Sequence, residues 1–359
     1  MTQASASSPV FTIGIDLGDK KSHYCVLDAS GTKVDEGHVA TKEPPLRELC
    51  TRFPQARVAF ETSTHSAWVQ RSLVGVTAET IVANPRQMAM PASRKRRKND
   101  RIDAEYLARL ARVDTKLLCP IQHRSFQDQA ILSVIRMREV AVHSRTKLIN
   151  SVRGTVKSLG FRLQQCDTNT FHKSARKQLS PLLLQIVEPM LTLIEAATKH
   201  IKQQDKLIDE LAKRNKAAPV LTQINGVGNL TALTFLLTLQ SHQRFRRSRR
   251  VGSYLGLVPH QFQSGESDPQ LSISKAGDRL LRSLLVTAAH YIIGPLNKQD
   301  SDLRRFGLAM AGVGNKTAKK RAVVAVARRL AVLLLSLWRS GEVYEPLRHT
   351  HRRAALTTV

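Results

Sequence analysis

The order of patterns in the first 113 residues constrains the fold most. An apolar run from Phe11 to Leu17 reads as a strand, and a second, His23 to Leu27, reaches the turn Asp28-Ala29-Ser30-Gly31. The chain returns as a strand through Val39, which is a hairpin signal. Pro44 and Pro45 then open a short helix near Leu46 to Phe53. Arg57 to Thr62 reads as a strand, Ala67 to Leu73 as a helix and Thr80 to Ala83 as a fifth strand. Good helix formers fill Ala104 to Val113, and Pro120 marks the break that follows. Three strands, then helix, strand, helix, strand, helix, fit a mixed sheet flanked by helices.

Beyond it the pattern turns helical, so the expected class is α/β followed by α. Phe126 to about Leu159 is helical and basic. From Leu182 to Leu211 a heptad appears: Val187, Met190, Ile194, Ala197, Ile201, Gln204, Ile208 and Leu211 alternate spacings of three and four, as coiled-coil seams do. An oligomerising helix is the expectation, and an intramolecular helical hairpin the alternative. Composition shifts near Ala217-Ala218-Pro219. The stretch Ile224-Asn225-Gly226-Val227-Gly228-Asn229 resembles the hairpin of a helix-hairpin-helix unit, where glycines let backbone N–H groups approach a phosphate. A plain glycine turn between helices is the competing reading. These breaks divide the chain into 1–115, 116–216 and 217–359.

Charge narrows the partners. Lys and Arg total 56 against 28 for Asp and Glu, a formal net charge of +28 over 359 residues. The surrounding field is strongly positive, and its natural partner is a polyanion. No uninterrupted apolar run approaches the roughly 20 residues that span a bilayer. Leu280 to Ile293 comes nearest and is broken by Arg282 and His290. The leader MTQASASSPV has neither a basic nor an apolar export region, so a cytoplasmic protein with no membrane partner is expected. Cys25, Cys50, Cys119 and Cys166 form no CxxC pair and are expected as reduced core residues.

Four acids stand where chemistry can use them. Asp16 lies in the strand Ile13-Gly14-Ile15-Asp16-Leu17-Gly18, where burying it unpaired is costly. Glu61 ends the strand Arg57-Val58-Ala59-Phe60, where a neighbouring strand can bring it beside Asp16. Asp100 and Asp103 sit three apart at a helix start and can share one face. Individually, Asp100 could be an N-cap, Asp103 a first-turn charge and Glu61 a solvated strand end. Together they reproduce the Asp, Glu, Asp, Asp order of a RuvC-like resolvase core of the ribonuclease-H fold. Clustered carboxylates repel unless cations compensate them, and one or two Mg2+ ions would do so. The run Arg94, Lys95, Arg96, Arg97, Lys98 immediately before Asp100 would grip a nucleic-acid backbone.

The sequence resembles the insertion-sequence-one-ten transposases, relatives of the Piv-type DNA invertases. The resemblance rests on Gly14-Ile15-Asp16-Leu17-Gly18, Phe60-Glu61-Thr62-Ser63, Asn99-Asp100-Arg101-Ile102-Asp103-Ala104 and Tyr254-Leu255-Gly256-Leu257-Val258-Pro259. It continues through Ser264-Gly265 to Ile273-Ser274-Lys275-Ala276-Gly277-Asp278-Arg279-Leu280-Leu281-Arg282. It implies a RuvC-like domain at 1–115, a helical coiled-coil segment at 116–216 and a mostly helical C-terminal transposase domain at 217–359. It also implies a dimer to tetramer guided by a structured RNA that pairs with double-stranded donor and target DNA. The position matching the family's nucleophilic serine is Ser264, with Ser267, Ser272 and Ser274 as lesser candidates. Lys275, Arg279 and Arg282 could neutralise charge growing on the phosphate. The competing readings are a metal-dependent junction resolvase using water, an ATP-binding actin-like fold, and a nucleic-acid-binding protein without catalysis. The missing Asp-Gly-Gly phosphate loop weighs against the actin-like fold.

Overall fold

The computed structural model describes residues 9–88, 99–265, 267, 269, 271–312 and 316–350. The basic run Arg94, Lys95, Arg96, Arg97 and Lys98 lies outside the described residues, as does the leader through Ser8. Two compact units divide the chain, Met1–Ser125 and Phe126–Val359.

In the first unit, β1 (Thr12–Asp16), β2 (Lys21–Leu27), β3 (Lys33–Ala40), β4 (Arg57–Glu61) and β5 (Glu79–Ala83) form one sheet in the order β3-β2-β1-β4-β5. β1 pairs antiparallel with β2, and β2 with β3, while β4 and β5 run parallel to β1. Side chains alternate between the two faces. Ile13, Ile15, Val58 and Phe60 pack on one face with Leu46 and Leu49 of α1 (Glu43–Thr51) and Val69 of α2 (Ser66–Ser72). The other face is covered by α3 (Asp100–Val113), whose Ala104 and Ala108 meet Cys25 and Leu27. Leu107 and Ala111 of α3 pack on Ala59, Ile81 and Ala83. The helix starts at Asp100, as expected, and Asn99 caps it, its side chain accepting from the Arg101 N–H at 3.1 Å. Cys25 and Cys50 are buried, and burial pushes their thiols up to about 11 and about 12. Cys119 and Cys166 are only half-buried, unlike the core residues expected.

In the second unit, α4 (Phe126–Ser158) and α6 (Pro181–Arg214) pack as an antiparallel hairpin. Arg138 of α4 pairs with Asp205 of α6, and Arg145 donates to Thr198 Oγ1 at 3.3 Å. Val187, Leu191, Ile194, Thr198, Ile201, Ile208 and Ala212 form the buried stripe of α6. The seam is therefore used inside the chain, and it corrects the expected phase. Leu191, Thr198 and Ala212 are inward where Met190, Ala197 and Leu211 were expected, and Met190 is 36% exposed. α5 (Phe171–Gln178) closes the far end, where Phe171 and Ala175 meet Val187 and Leu191. Arg176 of α5 pairs with Glu188 and Glu195 of α6, both at 2.7 Å. By length and composition α6 is the one described helix apolar enough to cross a membrane, a longer apolar stretch than the Leu280 to Ile293 run. Its inner stripe packs on α4.

Ile208 and Ala212 share a core with α7 (Ala218–Leu221), α8 (Asn229–Leu239), α10 (Arg279–Ile293) and α12 (Lys316–Ser340). The segments separated in sequence at residue 216 thus meet in one interior. α8 is buried from Thr231 to Leu239, as a helix apolar all round must be. Gly226, in the turn before it, has φ +95°, and a Cβ there would lie 3.0 Å from the Tyr291 ring. Packing on α10 therefore accounts for this glycine. Trp338 of α12 stands edge-on to Phe235 at 6.5 Å and to His242 at 5.4 Å, as a core aromatic. α9 (Arg250–Tyr254) and α11 (Asp302–Gly312) complete the unit.

Candidate active site

The four acids converge on one end of the sheet because α3 lies almost against β1. A Cβ built on Gly14 would sit 2.0 Å from the Ala104 carbonyl oxygen and 2.4 Å from the Ala108 nitrogen. Only hydrogen at Gly14 permits that approach. Asp16, two residues on, faces the same side as Gly14. Gly14 aligns with Ala59 and Ile15 with Phe60, so Asp16 and Glu61 follow at adjacent ends of parallel strands. α3 runs opposite to them, since its far end meets the start of β4, where Arg57 donates to the Ala111 carbonyl at 2.9 Å. The first turn of α3, with Asp100 and Asp103, therefore overhangs the Asp16 end. Asp100 is not the N-cap, a role that belongs to Asn99.

The sheet adds groups that sequence reasoning missed. Asp16 is paired with His23, and His23 with His38, so Glu61, Asp16, His23 and His38 form a row across β4, β1, β2 and β3. His23 Nε2 lies 4.0 Å from Asp100 Oδ2, and the His23 and His38 rings are 5.9 Å apart. Register alone reveals His23, because Thr12 opposite Leu27 fixes Asp16 opposite His23. At the same end, the Trp68 indole N–H donates to His65 Nδ1 at 3.1 Å. The His65 proton is thereby placed on Nε2, which faces Asp19 Oδ1 at 3.3 Å. No spacing in the sequence signals that pair.

Oxygen donors from Asp16, Glu61, Asp100 and Asp103 suit a hard divalent cation in type. Among the described residues, no three acid, imidazole or thiol side chains meet closely enough to hold an ion. The residues fit such an ion by donor chemistry and by lying at the same end of the sheet, not by their side-chain separation.

In the second unit, Ser264 stands at the tip of a narrow arm. His260 N–H donates to Ser272 O and Ser274 N–H to Val258 O, both at 2.9 Å, so the segments flanking the tip run as a ribbon. Ser264 and Ser267 exchange backbone hydrogen bonds of 3.1 and 3.0 Å across the tip. Ser264 is exposed, and Gly265 turns at φ +55° with open space around it. The base is tight by contrast. A Cβ on Gly256 would meet Ala276 N at 2.2 Å, and one on Gly277 would meet Tyr254 O at 2.1 Å. Arg282 donates to the carbonyls of Leu255 and Ala276 at 3.1 and 2.8 Å, so its guanidinium braces the base. Lys275, at φ +54°, and Arg279, the first residue of α10, are exposed at this base too.

A transposase family model, of the DEDD type, matches residues 13–160, and the model described as transposase IS116/IS110/IS902 family matches residues 218–303. The chain is 27% identical over 340 residues to a transposase for insertion sequence element IS1111A of Coxiella burnetii, covering 92% of this chain and 90% of the relative. It is 24% identical over 298 residues to the IS1328 transposase of Yersinia enterocolitica, covering 82% and 87%. Over 145 residues it is 28% identical to the pilin gene-inverting protein of Moraxella bovis, covering 40% and 44%.

Proposed function

Because the chain belongs to the IS110 family of transposases, whose activity is DNA recombination, we propose that it cuts DNA at the Asp16 end of its sheet and rejoins it through a phosphoserine at Ser264. The observation that carries this reading is the approach of α3 to Gly14, which puts the helix turn bearing Asp100 and Asp103 over the strand ends bearing Asp16 and Glu61. The strand order, with β2 antiparallel among neighbours that include two parallel pairs, supports a RuvC-like ribonuclease-H fold.

One or two Mg2+ ions, held by Asp16, Glu61, Asp100 and Asp103, would supply neutralisation of the charge that grows on the phosphate oxygens. Ser264 attacks phosphorus through Oγ, and the hydroxyl proton it loses is balanced by the one taken up on the departing sugar oxygen. One P–O bond to a sugar breaks as one P–O bond to serine forms. The number of phosphodiester bonds is conserved, so rejoining needs no ATP. The exposed arm suits this work, since it leaves Ser264 and Gly265 open to an approaching strand. Double-stranded donor and target DNA are the substrates. A structured guide RNA and a dimer to tetramer follow from the family resemblance and agree with a charge of +28.

Denaturing-gel capture of labelled DNA on a nicked substrate tests the reading. Asp16→Asn, Glu61→Gln and Asp103→Asn should each lower cleavage by about 10²-fold or more while DNA binding persists. Ser264→Ala should lose the adduct, whereas Ser267→Ala and Ser274→Ala retain it. An adduct that survives Ser264→Ala, or normal recombination by Asp16→Asn in Mg2+, would refute it.

A further inference from the structure

A groove of about 1990 Å³ runs through the second unit beside the Ser264 arm. Both ribbons of the arm line one wall, through Pro259 and His260 going out and Leu271 and Ile273 returning. Phe306 of α11 with Val324 and Val332 of α12 give it an apolar floor. Arg249, Lys320, Arg321, Arg328 and Arg329 stand along it, all exposed. Arg305 and Arg348 also line it, but they are paired with Asp300 and Glu342. Among the described residues the first five have no ion-pair partner, and Arg329 lies 3.3 Å above the Phe306 ring.

We propose that this groove binds a single strand of DNA, bases unpaired, next to the phosphate that Ser264 attacks. The assignment of that phosphate rests on the serine reading above. The groove itself stands on its own chemistry. The carboxylates of Asp302 and Glu345 line the groove too, but the five cations without an ion-pair partner outnumber them and call for a polyanion. A duplex would satisfy them with phosphates but hides its base faces, leaving the apolar floor without a partner. An unpaired strand offers both phosphates for the arginines and flat apolar bases for Val324, Val332 and the Arg329 guanidinium plane that lies over Phe306. The residues after Thr350, His351-Arg352-Arg353, carry the same sign as the groove and do not complement it. Because the arm forms one wall, a strand lying here leads along the ribbon that ends in Ser264.

Fluorescence anisotropy of the full chain with a labelled oligothymidylate of about 12 nucleotides tests the groove. Arg321→Ala with Arg328→Ala should weaken the oligonucleotide about 10-fold or more and flatten its log–log salt slope by about 1.4, roughly 0.7 for each phosphate no longer neutralised. Val324→Glu should weaken it comparably, while duplex of the same sequence changes by less than about 2-fold. Lys199→Ala with Lys206→Ala on α6 removes equal charge elsewhere and should leave both affinities unchanged. Unchanged single-strand binding in the arginine variant would overturn the proposal, as would an equal loss of duplex binding. A preference of about 10-fold for the matching RNA would overturn it too. Ser264→Ala should keep the oligonucleotide affinity, so failure of the serine reading and failure of the groove register in different assays.

Discussion

At Gly14 one hydrogen atom lets α3 approach β1 and bring its first turn over the end of the strand that carries Asp16. Replacing it with methyl puts carbon 2.0 Å from a helix carbonyl, and neither β1, buried on both faces, nor α3 can yield cheaply. Gly14→Ala should cost about 1–3 kcal/mol, a fall of roughly 3–10 °C in melting temperature, and should lower cleavage further than the unfolded fraction explains. Differential scanning fluorimetry with a cleavage assay measures both, and a variant with wild-type melting and cleavage would show that the contact is loose. The position of Asp16 and Glu61 at neighbouring strand ends was legible because the ends of parallel strands gather at one edge. His23 was not, since its place depends on the pairing register of β1 with β2. The His65 pair with Asp19 was hidden for a different reason: it joins two loops that no periodicity describes.

Among the elements, the sheet was readable from alternation and turns, and the α4–α6 hairpin only in part. Heptad spacing revealed a stripe but not its partner, and a seam assigned by every apolar residue slips by one position where Thr198 and Ala212 replace larger neighbours inside. Within that hairpin Arg145 is 7% exposed, its Nε has no hydrogen-bond partner, and burial pulls its affinity for a proton down. Among the described residues its guanidinium is anchored by Asn169 and Thr198. An apolar side chain of similar length removes a buried charge without leaving a carboxylate stranded. Arg145→Met should therefore raise stability by about 1 kcal/mol, read as a higher denaturant midpoint. The α5–α6 contact responds to acid. Hydrogen bonds from Arg176 hold Glu188 and Glu195 below their ordinary value of 4.5. Their stabilisation is complete above that pH and fades as pH falls through the lowered values. Amide exchange in α5 should accelerate there before exchange in α4 does, and uniform acceleration would show that Arg176 does not govern the docking.

For the whole molecule, charge was the plainest signal, and a net +28 makes ionic strength the chief control on DNA affinity. With about six to ten phosphate contacts, affinity should fall roughly 10³-fold or more between about 50 and 200 mM salt. A nearly flat response in a filter-binding titration would count against a backbone-gripping surface. The two-unit division was less legible than the charge, because residues 116–216 read as a separate segment while Leu132, Ile208 and Ala212 pack into the core that also holds α8 and α12. Only two tryptophans occur in the chain. Trp68 stands edge-on to His65 at 6.0 Å in the first unit, and Trp338 edge-on to His242 at 5.4 Å in the second. Each unit thus carries one indole fluorophore, which can be excited apart from the five tyrosines at the red edge of the absorption band. Trp338→Phe leaves tryptophan emission from Met1–Ser125 alone, and Trp68→Phe leaves it from Phe126–Val359 alone, so a pair of melting scans without any dye resolves which unit gives way first.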